Sequence, residues 1–407
     1  MNLEEIHILC PCSRLVPIRR MFVKASNCSG EIKEMQEIEI SNGNREDSHF
    51  VAMLKACANK KDLHKGMLIH ADILRSRVLE KSPYVASSLI CMYAKCGVLT
   101  KAQQVLEELP IRSVVCWNAL ISGYIQQGNG QSALKCFKRM HSEGISPDVV
   151  TFICILKACG NTRSIDEGKE IHDEIVTRNL LKKHIILGTA LVDMYAKCAM
   201  LVKAQDVLDE LPERDAISWN ALISGYVHKG QAQEALVCFQ QMQREGLSPD
   251  NVTFICILKA CGSMRSLEKG KQIHEMIVNR NILSKDIILG TALVDMYAKC
   301  GMLATSQLVL ESLHVRDIIA WNALIAGYAH QGLNHEALSC YEQMQTEGLS
   351  PNAITFVCIL KACGGAKVIK TGKLIHEEIV KRDLLGKEIV LGTALVDMYA
   401  KCGMLAK

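Results

Sequence analysis

The side chains best suited to recognising a polar ligand recur at a fixed interval. Asn118, Asn220 and Asn322 stand 102 residues apart, and so do Thr189, Thr291 and Thr393, with Ser87 at the same step before them. A second set, Asp148, Asp250 and Asn352, repeats at that step, as do Ser113, Asp215 and Asp317. An amide both donates and accepts, a hydroxyl does either, and a carboxylate only accepts. Such a set can read the hydrogen-bonding edges of a ligand that itself repeats. The competing reading is helix capping, because Ser, Thr, Asp and Asn at a helix start accept from free backbone amides. Capping alone would let these four types exchange freely, whereas here Asn holds one series and Ser or Thr the other.

Other arrangements point less clearly to chemistry. His172-Asp173-Glu174 and His376-Glu377-Glu378 resemble the His-x-Glu half of a zinc deaminase, yet no Pro-Cys-x-x-Cys half occurs, and His70 and His274 fill the same slot without the glutamate. They read as helix residues. Sixteen of the 19 cysteines recur inside the repeats, as in Cys154/Cys159, Cys256/Cys261 and Cys358/Cys363, and no Cys-x-x-Cys spacing is present. Small buried packing groups in a reducing compartment account for them. No Gly-rich phosphate loop, nucleophile elbow or catalytic triad stands out, so neither an enzyme activity, a cofactor nor a metal is expected.

The elements that must carry these residues follow from the period. Phe50, Phe152, Phe254 and Phe356 repeat at 102, as do Trp117, Trp219 and Trp321, which makes the chain an array. Each block restarts a helix-turn-helix pattern three times, giving units at 47–82, 83–113, 114–148, 149–184, 185–215, 216–250, 251–286, 287–317, 318–352 and 353–388, then a unit from 389 cut short at 407. Residues 1–46 read as a leader, disordered or targeting. Within 114–148, Trp117, Leu120, Ile121, Tyr124 and Ile125 fall at helical spacing, Ala133, Leu134, Phe137 and Met140 mark a second helix, and Gly144 and Pro147 stop it. A single helical pair cannot bury its apolar faces, but stacked pairs can. Such stacking accounts for the 49% hydrophobic composition without a large single domain, and the expected fold is an all-α, right-handed α-solenoid of stacked helix-turn-helix repeats. Asp193, Asp295 and Asp397 interrupt the most apolar helices, which fall short of the roughly 18 unbroken apolar residues of a membrane span.

These motifs resemble the pentatricopeptide repeat family, in its plant-type subgroup of P, L and S triplets. The 35-residue P units match through Val115-Cys-Trp-Asn-Ala-Leu-Ile-Ser-Gly-Tyr124 and Gly144-Ile-Ser-Pro-Asp148, and the L units through Phe254-Ile-Cys-Ile-Leu-Lys-Ala-Cys261 with Gly270-Lys-Gln-Ile-His274. The S units match through Leu289-Gly-Thr-Ala-Leu-Val-Asp-Met-Tyr-Ala-Lys-Cys-Gly301 and Leu211-Pro-Glu-Arg-Asp215. The array order is then L-S-P-L-S-P-L-S-P-L-S, ending in a truncated S.

The resemblance implies single-stranded RNA binding, one base per repeat, read by the fifth and last residues of each unit. Its code gives U for Asn118/Asp148 and Asn220/Asp250, G for Thr189/Asp215 and Thr291/Asp317, and a pyrimidine for Asn322/Asn352. The implied element is 5′-U-x-G-U-x-G-Y-3′, where x marks L units whose fifth residues, Val51, Ile153, Ile255 and Val357, are apolar. Second residues of the units, Val115, Ile186, Ile217, Ile288 and Ile319, would pack on base planes; Tyr84 departs from that pattern. Lys95, Lys197, Lys299 and Lys401 in S units, and Lys157, Lys259 and Lys361 in L units, are placed to meet phosphates or simply to solvate helix ends. With a net charge of only +4, base reading would carry more of the affinity than nonspecific attraction.

Members with this layout commonly continue into E-type extensions and a DYW deaminase domain for C-to-U editing. Neither is found here, and the chain stops inside an S unit, as a fragment of an editing factor or a truncated copy would. The expectation is RNA recognition by a monomer, with any deaminase or other editing factor acting in trans, in a mitochondrion or chloroplast. Glu4 and Glu5 suit a presequence poorly, although Arg14 to Lys24 is basic. The rival reading is a protein-binding scaffold of tetratricopeptide type, whose packing pattern Trp117, Leu120, Tyr124, Ala133 and Phe137 also fit. A scaffold of that kind would keep one repeat length and would not sort fifth residues by unit type.

Overall fold

The computed structural model describes residues 45–283, 286–386 and 388–404. The leader read over 1–46 lies outside the described residues except for its last two positions. Every regular element among the described residues is helical. In chain order the α-helices are α1 Arg45–Lys60, α2 Leu63–Ser76, α3 Pro83–Lys95, α4 Leu99–Glu108, α5 Val114–Gln126, α6 Gly130–Ser142, α7 Val149–Thr162, α8 Ile165–Thr177, α9 Ile185–Lys197, α10 Leu201–Glu210 and α11 Ala216–His228. They continue as α12 Ala232–Arg244, α13 Asn251–Ser263, α14 Leu267–Asn279, α15 Ile287–Lys299, α16 Leu303–Ser312, α17 Ile318–His330, α18 Asn334–Thr346, α19 Ala353–Ala366, α20 Ile369–Lys381 and α21 Ile389–Lys401. A 3₁₀ turn, Val78–Glu80, follows α2.

The described helices fall into two compact units, one ending at Lys229 and one starting at Gly230. In the N-terminal unit, α1, α3, α5, α7, α9 and α11 pack each on the next, and α4, α6, α8 and α10 each lie against their own partner and the following odd-numbered helix. In the C-terminal unit, α13, α15, α17, α19 and α21 pack in the same way, flanked by α14, α16, α18 and α20. Odd-numbered helices are therefore covered on most sides and even-numbered ones on one. The composition follows: α5 (VVCWNALISGYIQ) is largely apolar around its circumference, whereas α6 (GQSALKCFKRMHS) is amphipathic and buries Ala133, Leu134, Phe137 and Met140.

The recurrent aromatic residues are the bulk of this core. Trp117, Trp219 and Trp321 are almost wholly buried, as are Phe152, Phe254 and Phe356, each contributing about 2–3 kcal/mol by removal from water. Small residues set how closely odd-numbered helices approach. A Cβ on Gly123 would come within 2.5 Å of Ala94 Cβ, so α3 and α5 meet there backbone to backbone. Turns close on glycine where φ is positive, for example Gly128 at +77° and Gly144 at +74°.

The histidines singled out in the sequence serve this packing. Nδ1 of His70, His172, His274 and His376 lies 2.8–2.9 Å from the hydroxyl of Tyr93, Tyr195, Tyr297 and Tyr399, respectively. Each ring meets its tyrosine edge-on, with centroids 5.5–5.7 Å apart. Burial lowers the pKa of His70, His172 and His274 and pushes Tyr195 up to about 12. The His-x-Glu arrangement thus joins an even-numbered helix to the next odd-numbered one, while Glu174 pairs with Arg178. Among the described residues no cluster of His, Cys, Asp and Glu is arranged to hold a metal. No described helix is long and apolar enough to cross a membrane.

Burial also raises the thiols. Cys154, Cys159 and Cys363 are pushed up to about 12 and Cys136, Cys261 and Cys340 to about 11. These groups are protonated near neutrality and act as small apolar fillers.

Candidate nucleic-acid interface

In the units 114–148, 287–317 and 318–352 the last residue and the fifth residue belong to one hydrogen-bonded cluster, because that last residue is the N-cap of the next odd-numbered helix. Asp148 caps α7, its Oδ1 accepting from Thr151 N at 2.7 Å. The Asn118 amide, on α5, donates to Asp148 Oδ1 and Oδ2 at 3.0 and 3.2 Å, and Thr151 Oγ1 lies 2.7 Å from Asn118 Oδ1. Asn322, Asn352 and Thr355 repeat this: Asn322 Nδ2 donates to Asn352 Oδ1 at 3.2 Å, and Thr355 Oγ1 lies 2.7 Å from Asn322 Oδ1. Capping and pairing with the fifth residue are therefore two tasks of one side chain, not alternatives.

The remaining predicted readers fall into the same positions. Asn220 is buried on α11 of the N-terminal unit, and Asp250 caps α13 of the C-terminal unit through Thr253. Thr291 Oγ1 lies 2.9 Å from Ile287 O and 3.3 Å from Asp317 Oδ1, while Asp317 caps α17 by accepting from Ala320 N at 2.8 Å. Thr189 Oγ1 donates back to Ile185 O at 3.3 Å, and Asp215 caps α11 through Ser218 N at 2.7 Å. Ser87 donates to Tyr84 O, Ser113 caps α5, and Thr393 is exposed on α21 with Oγ1 3.5 Å from Ile389 O. In the L units Val51 and Ile255 are buried and Ile153 and Val357 half-buried, so no polar group stands at the fifth position.

Beside these clusters lie exposed aliphatic side chains. Ile217, Ile288 and Ile319 keep 42%, 40% and 38% of their surface in solvent although each is the second residue of a largely buried helix. Val115 and Ile186 are half-buried. The lysines divide into two groups. Lys197, Lys299 and Lys401 are tied to Asp193, Asp295 and Asp397 one turn earlier, at 2.5, 2.6 and 2.7 Å. Lys157, Lys259 and Lys95 are exposed, and Lys361 Nζ lies 2.9 Å from His330 Nδ1. Any phosphate contact from the first group competes with an internal ion pair; the L-unit lysines carry no such aspartate.

Two positioning contacts escape a reading of sequence alone. Arg178, Arg280 and Arg382 each donate Nη1 to the carbonyl of the proline before a unit's last residue: Pro147 at 3.0 Å, Pro249 at 2.6 Å and Pro351 at 2.9 Å. Each guanidinium also lies over Phe152, Phe254 or Phe356, 5.3–5.6 Å from the ring centre. The hydroxyls of Thr151 and Thr355, bonded to Asn118 and Asn322, are the second. The regular appearance of a threonine three residues after the last residue of each P unit was their only sequence signal.

Stacked helical hairpins whose capping and fifth residues recur as polar groups from unit to unit define a helical repeat protein. Models of the PPR repeat family match residues 112–161, 214–263 and 316–365, and one of the PPR repeat matches 84–114. The chain is 34% identical over 358 residues to a chloroplastic pentatricopeptide repeat-containing protein of Arabidopsis thaliana, covering 88% of this chain and 57% of that protein. A mitochondrial relative from the same plant is 33% identical over 359 residues, covering 88% of this chain and 64% of its own length. The chain thus spans about half to two-thirds of the length of these relatives. A crystal structure of the pentatricopeptide repeat protein PPR10 in complex with an 18-nt psaJ RNA element superposes with a TM-score of 0.68 at 19% identity, over 93% of this chain and 55% of that one. The chain belongs to the pentatricopeptide repeat family, and its fold is the family's α-solenoid.

Proposed function

We propose that this chain binds single-stranded RNA base by base, with the fifth and last residues of successive P and S units as readers and 5′-U-x-G-U-x-G-Y-3′ as the preferred element. The observation that carries the reading is the contact between Asn118 and Asp148, at 3.0 and 3.2 Å, repeated by Asn322 and Asn352. It presents an amide and an acceptor side by side, the complement of a base edge that mixes N–H and C=O groups. The exposed Ile217, Ile288 and Ile319 supply apolar surface for base planes, and Lys157 and Lys259 supply charge for phosphates. The structural relative solved with an RNA element, and the chloroplastic and mitochondrial names of the sequence relatives, support RNA as the ligand and an organelle as the place. In this reading the chain is a monomeric recognition module for organellar RNA editing, leaving the chemistry to a deaminase or other editing factor acting in trans.

The test is a gel shift of the purified chain against the U-x-G-U-x-G-Y oligomer and one with every U and G exchanged, at fixed physiological salt. Preference for the first by about tenfold or more is expected. Equal binding would reduce the chain to a nonspecific RNA binder, and binding to neither would favour a protein partner.

A further inference from the structure

The unit 251–286 departs from the other L units at a contact that its apolar fifth residue conceals. Ile255 is 4% exposed and buried on α13. One turn earlier on the same helix face stands Asn251, whose Nδ2 donates to Asp286 Oδ2 at 2.8 Å. Asp286 is the last residue of the unit and the N-cap of α15, its Oδ1 accepting from Ile288 N and Leu289 N at 3.0 and 3.3 Å. This is the Asn118–Asp148 arrangement with the amide moved by one turn: an asparagine of a unit's first helix donates to a carboxylate that caps the next unit's first helix. Both side chains are only half-buried, and Ile287 and Ile288 beside them are 42% and 40% exposed, so a planar apolar ligand could lie against the pair. The equivalent positions of the other L units lack it: Asp47 with Ser82, Val149 with His184, and Ala353 with Glu388, none of which places an amide at the first residue.

We infer that Asn251 and Asp286 form a base-reading pair, so that 251–286 is an L unit that discriminates among bases. This rests on the RNA-binding reading above and fixes the second x of U-x-G-U-x-G-Y. The amide supplies a donor and a carbonyl, and the carboxylate an acceptor for a ring N–H. That combination suits uracil, whose N3–H lies between two carbonyls, as in the P units that carry the same two residue types.

The experiment uses the whole chain and two sets of fluorescent RNA oligomers at fixed salt, one varying the fifth base of the element through A, C, G and U, the other varying the second base. Wild type should favour U at the fifth position by about tenfold over the worst base, with a spread within about twofold at the second, which faces 149–184. Asn251→Val, which installs the residue type of Val149, should collapse the spread at the fifth position and leave the preference over the U/G-exchanged oligomer intact. The transplant Val149→Asn with His184→Asp should create a preference for U at the second position. A wild-type spread at the fifth position no wider than at the second, with the U/G preference intact, overturns the pair and leaves base reading by the other units standing. Loss of preference at every position overturns both.

Discussion

Asn118 reaches across from α5 to donate to both carboxylate oxygens of Asp148, the residue that caps α7. One side chain therefore starts a helix and orients the amide of the unit before it. The first prediction separates these tasks. Asp148→Ala should remove the cap and cost about 1 kcal/mol of stability, lowering the urea midpoint and weakening discrimination at the first base of the element. Asp148→Ser should hold the midpoint near wild type and still lose U preference, because a hydroxyl caps without offering a second acceptor to Asn118.

The fifth residue can be exchanged with less structural cost. Asn118→Thr should turn the first base preference from U toward G by about tenfold, measured with oligomers differing only at that base, while the preference at the base proposed to face 185–215 stays unchanged. If preference moves at all positions together, the unit-by-unit reading fails.

Positioning contacts should matter without touching the ligand. Arg178 holds Pro147 O at 3.0 Å and covers Phe152. Arg178→Met keeps much of the apolar cover but drops the charge-assisted hydrogen bond, which typically contributes about 1.5–3 kcal/mol. Reduced amide-exchange protection at Thr151 and weaker U discrimination at the first base are expected, with other positions unaffected.

A comparison between copies predicts a stabilising change. Trp321 Nε1 donates to Glu347 at 3.0 Å, but the buried Trp117 Nε1 has no partner. The equivalent acid, Glu143, is held instead by Arg112 and Arg139 at 2.8 and 3.0 Å. The third P unit has Gln343 where the first has Arg139. Arg139→Gln should release Glu143 to Trp117 and raise stability by up to about 1 kcal/mol, read as a higher urea midpoint; Gln343→Arg should do the opposite.

The histidine–tyrosine contacts predict a pH dependence. Burial depresses the pKa of His70, His172 and His274 below 6.5, so the unfolded chain takes up protons first as pH falls. Their contribution is complete above the ordinary histidine value and is lost as pH drops through it toward the folded values. The melting temperature should fall on acidification below about pH 6.5, and His70→Gln, His172→Gln and His274→Gln combined should flatten that slope.

Much of this architecture was legible in the residues themselves. The 102-residue period, the helical spacing of Trp117, Leu120, Ile121 and Tyr124, and the stops at Gly144 and Pro147 depend on local backbone preference and side-chain pattern, which a sequence carries directly. The sorting of Asn and Thr by unit type placed the candidate readers for the same reason. The sequence also showed Asp148 both as a possible cap and as a possible reader. Only the folded chain joined the two, because the cap of one unit and the fifth residue of the unit are 30 positions apart and meet through packing of α5 on α7. Packing likewise decided that Arg178 supports Pro147 and that Asn251 finds Asp286. Both are contacts between residues far apart in sequence, and they form because small residues such as Gly123 and Ala94 let successive helices approach closely.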